Sequence, residues 1–327
     1  MNASSNPLTL ADQQWRSVIA AATAAPSTHN TQPWRFVVEP DGVHVHLDPD
    51  RSLPVVDPTG RESRLSCGAA LFNLRMALRA LDLEPLVTLF PQRQHPTLLA
   101  TVRLRTVKQA TPQELALHAA IPVRHSHRRP FHPAPLPSAV LQQVVYAAGV
   151  EGGYLRLVQD PPVVRALTSL IRRADHQQSL NAAHVAELAA WVTGDQSRPD
   201  GVPLAATAPR AAPGSVLAMR DFTGGRAGQE REYESDPLLA VLLSAGDTPR
   251  DEVQAGQALQ RALLTATIHG AATSILSAPT EVPAIRAALR DLVGGAMYPQ
   301  LVLRLGSSAG VTASPRRPVD DLVDPPR

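Results

Sequence analysis

The chain has 327 residues, 44% of them hydrophobic and 18% charged, a composition suited to an ordinary globular protein with a well-buried core. Lys+Arg number 31 against 29 Asp+Glu, a formal charge of +2 with no block of like charge, so nothing points to a nucleic-acid or anionic-membrane partner. One cysteine, Cys67, excludes an intramolecular disulfide framework and a thiolate-based structural zinc site. No apolar run is long enough for a membrane span, and Met1 to Leu8 lacks the charged-then-apolar order of a signal peptide, so a cytoplasmic location is expected.

In chain order, Trp15, Val18, Ile19 and Ala22 recur at helical spacing, with Thr9 placed to cap the helix and Pro26 to end it. The turn formers APSTHNTQPW follow. Trp34 to Glu39 reads as a strand, which Pro40-Asp41-Gly42 turns back into Val43 to Leu47. His44 and His46 share one face of that hairpin, but no third metal ligand is in view, and a solvated face is expected. Thr59-Gly60-Arg61-Glu62 has capping-box spacing and opens a helix through SRLSCGAALFNLRMALRAL, apolar over most of its surface and therefore central. Cys67 lies in it and reads as core. Strands at Leu86 to Phe90 and Leu98 to Leu104 complete a first unit.

The same order returns near the end. Thr248-Pro249 is an N-cap with proline at the first helical position, the helix EVQAGQALQRALLTATIHG follows, and Thr273 to Ser277 and Gln300 to Leu305 read as strands. Placing Gly68 on Gly256 aligns GAALFNLRMALRA with GQALQRALLTATI, and LATVRL then corresponds to PQLVLRL. The recurrence predicts an internal duplication, with halves at 1–118 and 119–327. Within the second half the stretch 193–236 is rich in Gly, Pro and Ala; Val216, Leu217, Met219 and Phe222 give it apolar surface, so it reads as an inserted cover. Thr223 to Gly228 is glycine-rich, but no strand leads into it as a dinucleotide fingerprint requires.

Two segments carry the chemistry: Pro26-Ser27-Thr28-His29-Asn30-Thr31-Gln32-Pro33-Trp34 and Arg124-His125-Ser126-His127-Arg128-Arg129-Pro130-Phe131. They resemble the flavin-binding signatures of FMN-dependent nitroreductases, a PSxxNxQPW segment and an R-[RH]-S-x-[RK]-x-F segment. Ala278-Pro279-Thr280-Glu281-Val282 and Pro315-Arg316-Arg317 resemble the loop beside the flavin ring and the basic pair near its phosphate. The asparagine segment precedes the R-x-S segment here, the reverse of the ordinary family order, and this layout resembles the Acg-like branch, in which one chain replaces a homodimer.

The resemblance implies an α+β nitroreductase-like fold: a central, mainly antiparallel sheet flanked by helices, two pseudo-repeated halves, and one site between them in a monomer that imitates a dimer. It implies FMN as cofactor and NADH or NADPH as electron donor. The site residues it brings are Ser27, Asn30, Gln32, Arg124, His125, Ser126, Arg128, Pro279, Thr280, Glu281, Arg316 and Arg317. The chemistry of the residues agrees with it. A flavin phosphate needs fixed positive charge, for which Arg124, Arg316 and Arg317 are candidates. Arg128 and Ser126 suit the charged edge of reduced flavin, and the amides of Asn30 and Gln32 suit the polar ring edge. No side-chain nucleophile or acid–base pair is required, because the cofactor carries the chemistry. Two functions remain open: reduction of quinones or nitroaromatics by NAD(P)H, and flavin sequestration under a closed cover with little or no turnover.

Overall fold

Helix α1 spans Asp12–Thr23 and buries Trp15, Val18, Ile19 and Ala22, the positions that the helical spacing singles out. Its start differs from the expectation: Ala11 holds the N-cap position in place of Thr9, and the Gln14 side chain accepts the Ala11 amide at 3.0 Å. The computed structural model describes residues 8–195, 197–217, 219–222, 230–308, 310 and 313–325, and the glycine-rich Thr223 to Gly228 lies outside them. Strands β1 (Trp34–Glu39) and β2 (Gly42–Leu47) form the hairpin, with Glu39 opposite Gly42 across a tight turn. Helix α2 (Arg61–Ala80) is buried along nearly its whole length. Thr59 does not cap it. Gly60 sits at the N-cap with φ +73°, and Asp57 accepts the Glu62 and Ser63 amides at 3.1 and 2.8 Å, so the carboxylate acts from outside the expected box.

Strands β3 (Leu83–Leu89) and β4 (Leu98–Val107) are followed by α3 (Pro112–Ala120), α4 (Ser138–Val150), β5 (Tyr154–Val158), α5 (Pro161–Ser179) and α6 (Ala182–Ala190). Two-residue strands β6 (Val192–Thr193), β7 (Val202–Pro203), β8 (Arg210–Ala211) and β9 (Glu230–Arg231) pair within the cover, β6 with β7 and β8 with β9. The chain closes with β10 (Leu238–Ser244), α7 (Pro249–Ile268), β11 (Ala272–Leu276), α8 (Ala278–Glu281), α9 (Pro283–Leu292), β12 (Tyr298–Gly306) and β13 (Val323–Asp324). Thr248 caps α7 as expected, in a reciprocal box with Asp251.

The expected sheet is divided in two. One has the order β13-β1-β2-β4-β3, antiparallel except where β13 joins β1; the other, β11-β12-β10-β5, is antiparallel throughout. The buried helices α2 and α7 pack against each other, and each belongs to the core beneath a different sheet. At their crossing a Cβ on Gly68 would lie 2.1 Å from the Val253 carbonyl oxygen, and one on Gly256 would lie 2.0 Å from that of Leu65. Only glycine permits backbones this close. The last strand returns to the first sheet: Phe36 N donates to Leu322 O at 2.8 Å, and Leu322 is fully buried in the core around α1 and α2. Among the described residues no helix is long and apolar enough to cross a membrane.

Candidate functional site

Between the C-terminal end of α1, the 3-10 turn Thr28–Asn30, the N-terminal half of α2, the C-terminal half of α5 and the β11–α8 junction lies a cavity of about 120 Å³. Both sequence motifs reach it. Ser27, Asn30, Arg124, His125, Ser126, Arg128, Pro279 and Arg316 are among its lining residues. Gln32, Thr280, Glu281 and Arg317 are not, although each was expected there from the motifs.

The asparagine loop is strained where it meets the cavity. His29, Asn30 and Gln32 have φ of +51°, +57° and +52°, a region that residues with a Cβ seldom adopt. Local strain of this kind persists only when surrounding bonds enforce it. Here the amides expected for the ring edge supply those bonds. Asn30 Nδ2 donates to the carbonyls of Gly201 and Pro315, both at 3.0 Å, and its Oδ1 accepts from Arg316. Gln32 Nε2 donates to Pro199 O at 3.0 Å, and its Oε1 accepts the Arg317 amide at 2.9 Å. The structure thus gives both amides a bracing role, tying the loop to the cover and to the C-terminal run. Ser27 Oγ contributes by accepting the Gln32 amide.

Arg124, Arg128 and Arg316 line the cavity, and among the described residues none of them has a carboxylate partner. Arg124 Nη2 donates to Ala24 O at 3.2 Å, while its Nε and Nη1 are buried and have no hydrogen-bond partner. Arg316 donates to the carbonyls of Thr23, Ala24 and Ala25, which are the negative C-terminal end of α1. Arg128 Nη1 donates to Ala206 O at 3.2 Å. Burial, then the charges of Arg316 and Arg128, hold the Arg124 guanidinium below its ordinary value. Burial does the same for Arg128 and, with Arg128 as neighbour, for Arg316. Three cations, one buried and two half-buried, thus face the cavity with carbonyl dipoles as their hydrogen-bond partners. Arg317 stands apart, with Nη2 on Asp321 O.

Described residues of the stretch 193–236 border the cavity. Leu217 and Met219 join the core beside α5, and Met219, Arg220 and Phe222 line the cavity. Phe222 meets His29 edge-on at 6.2 Å between ring centres, and the Arg128 guanidinium lies 5.6 Å from the Phe222 ring. Arg51 and Arg198 each lie near the Trp191 ring, at 5.4 and 5.3 Å, and both pair with Asp200. Val55 and Val56 amides donate to Glu187 of α6. Towards its expected end at Asp236 the segment is part of the body, since Tyr233 is buried and Glu234 pairs with the fully buried Arg304 at 2.8 Å.

Sequence reasoning did not find Arg220 or Glu62. Arg220 pairs with Glu281, which explains why Glu281 faces the cover and not the cavity. Glu62 was read as a capping residue, yet it lines the cavity and is buried. Charged residues at the start of a helix read as central and buried, Arg61 and Glu62, were the available signal.

No family model matches the chain. It is 31% identical over 319 residues to the Mycobacterium tuberculosis H37Rv protein named "Putative NAD(P)H nitroreductase Rv3131", covering 95% of this chain and 91% of that protein. It is likewise 31% identical over 318 residues to "Putative NAD(P)H nitroreductase acg" of the same organism, covering 94% of each. Similar solved structures include a nitroreductase with bound FMN from Bacteroides fragilis, at 15% identity and TM-score 0.38 over 62% of this chain and 93% of that one. Another is the FMN-dependent nitroreductase NfnB from Mycobacterium smegmatis in complex with NADPH, at 15% identity and TM-score 0.40 over 63% and 96%. On the identity it shares with its mycobacterial relatives across nearly their full length, the chain belongs to the Acg-like nitroreductase family.

Proposed function

We propose that this cavity binds FMN, at a single site between the halves 1–118 and 119–327, and that NAD(P)H reduces it for transfer to a quinone or nitroaromatic acceptor. The observation that carries the reading is the trio Arg124, Arg128 and Arg316, the first buried and the other two half-buried, with no acidic partner among the described residues. A flavin phosphate is a dianion and satisfies the unpartnered Nε and Nη1 of Arg124. Arg124 and Arg316 would hold that group; Ser126, His125 and Ser27 would meet the polar parts of the cofactor, and Pro279 would bound it on the α8 side. When bound, the flavin supplies the hydride chemistry, and the protein supplies orientation, charge and exclusion of water. The relatives' names and the bound FMN and NADPH of the solved structures agree with this reading. The opposed helices α2 and α7, touching at the glycines that the sequence alignment makes equivalent, support the pseudo-dimer arrangement.

The docked cover favours a second reading, flavin held with little turnover. Met219, Arg220 and Phe222 of the stretch 193–236 border the cavity, and their position there would limit the approach of nicotinamide to a bound flavin. An anaerobic absorption spectrum before and after NADPH decides between them. A yellow flavin band that bleaches promptly supports the reductase; a band that yields only to a chemical reductant supports sequestration. Protein that is colourless and takes up no added FMN overturns both.

A further inference from the structure

A second cavity, of about 390 Å³, lies between the loop before α2 and helix α9, and it shares no lining residue with the first. The sequence of α9 makes one wall. Ile285 and Leu289 are buried in the core, while Pro283, Ala287 and Arg290, at helical spacing, line the cavity. Val56 and Pro58 from the loop and Tyr298 and Pro299 from the start of β12 supply further apolar surface.

Three arginines and three carboxylates also stand in these walls, and most have a partner. Arg286 Nη1 donates to Asp247 at 2.9 Å. Arg61 is divided among Glu62, the Gln300 side chain and the carbonyls of Gln300 and Thr280. Asp57 accepts the Glu62 and Ser63 amides and the Ser63 hydroxyl at the start of α2. Glu281 pairs with Arg220 through Oε2, which also accepts from Gln178. Arg290 is the exception. No carboxylate among the described residues pairs with it, and its Nε is buried without a hydrogen-bond partner.

The Arg290 guanidinium lies over the Tyr298 ring, 3.9 Å from its centre. Stacking occupies the face of a guanidinium and leaves its N–H donors free in its own plane. Tyr298 therefore holds the group ready without satisfying it. A buried N–H left unmade is costly, and a carboxylate takes two parallel bonds from a guanidinium edge. An inorganic anion could accept those bonds too, but it would leave the apolar walls uncovered.

We propose that this cavity is a second binding site, for a small aromatic carboxylate whose oxygens meet the Nε edge of Arg290 and whose ring covers the apolar walls. The proposal is independent of the flavin reading, because none of these residues lines the first cavity.

Titration calorimetry with benzoate on the whole chain, with and without added FMN, tests it. Wild type should bind one benzoate per chain with a Kd at or below about 1 mM. Arg290→Met should weaken binding at least about tenfold, and Arg290→Lys, which keeps the charge but not the fork, should weaken it nearly as much. Two comparisons need no variant. Benzyl alcohol lacks the anion and acetate lacks the ring, so each should bind wild type at least about tenfold more weakly than benzoate. No heat of binding from benzoate overturns the proposal, as does unchanged affinity in Arg290→Met. Acetate that binds as tightly as benzoate overturns the aromatic assignment. Benzoate that competes with FMN would occupy the first cavity, which also overturns it. Protein that takes up no FMN counts against the functional reading only, and the benzoate titrations then stand on their own.

Discussion

Arg75 and Arg261, on the facing helices α2 and α7, meet Glu151 at 2.6 and 2.9 Å, whereas Arg124, Arg128 and Arg316 meet only carbonyl oxygens. Both clusters are largely withdrawn from water. The first carries its own counter-charge, and Gln257 accepts a further bond from Arg75 while Gln254 secures the Glu151 carbonyl. The second has no carboxylate among the described residues. That contrast, arginines paired with a carboxylate in one place and left without one in another, is the basis for proposing the second as a binding site.

The comparison is broken most directly at its acid. Glu151→Gln leaves two arginines without their counter-charge and should lower stability by about 3 kcal/mol, read as a fall in the urea midpoint. In the other cluster the sign reverses. Arg124→Met removes a cation that lacks a partner, and in flavin-free protein it should raise stability by roughly 1 kcal/mol. The same change should weaken FMN binding at least tenfold, measured by equilibrium dialysis. Inorganic phosphate sharpens the contrast further: at saturating concentration it should raise the melting temperature of wild type and leave Arg124→Met with Arg316→Met unmoved.

A smaller effect comes from His29, beneath the cover. Burial first, and the Arg220 charge second, lower its pKa to about 3 from 6.5. The unfolded chain therefore takes up a proton near pH 6.5 that the folded chain refuses. Stability from this residue is full above about pH 6.5 and declines as pH falls towards 3. His29→Asn keeps a residue that tolerates positive φ and should flatten that part of the urea-midpoint profile. An unchanged profile would place the acid sensitivity elsewhere.

The legible parts of the fold were those whose pattern is local. The spacing of Trp15, Val18, Ile19 and Ala22, the tight turn after Glu39 and the Thr248-Pro249 cap each act within a few residues. Strand β10 was not legible, because Leu238 to Ser244 is buried on both faces of a central strand and shows no alternation. Helices α3 to α6 were missed as well; α3 has a regular capping box at Thr111 and Glu114 that went unread. In the site, Arg124, Ser126 and Arg316 could be found because they sit in motifs. Arg220 reaches Glu281 across 61 positions, and Gln32 reaches Pro199 across 167, and no short pattern encodes such pairings. The roles of Asn30 and Gln32 as braces followed only from their partners.

Strand β13 and Arg316 give the order of synthesis a consequence. The edge of β1 and one wall of the cavity are both supplied by residues 314–324. Until those residues have left the ribosome, β1 presents an unpaired edge and the proposed anion site lacks one of its three cations. On the proposed reading, cofactor loading waits until residues 314–324 have been made. A nascent chain stalled before Ser314 should hold both helices α2 and α7 yet retain no flavin.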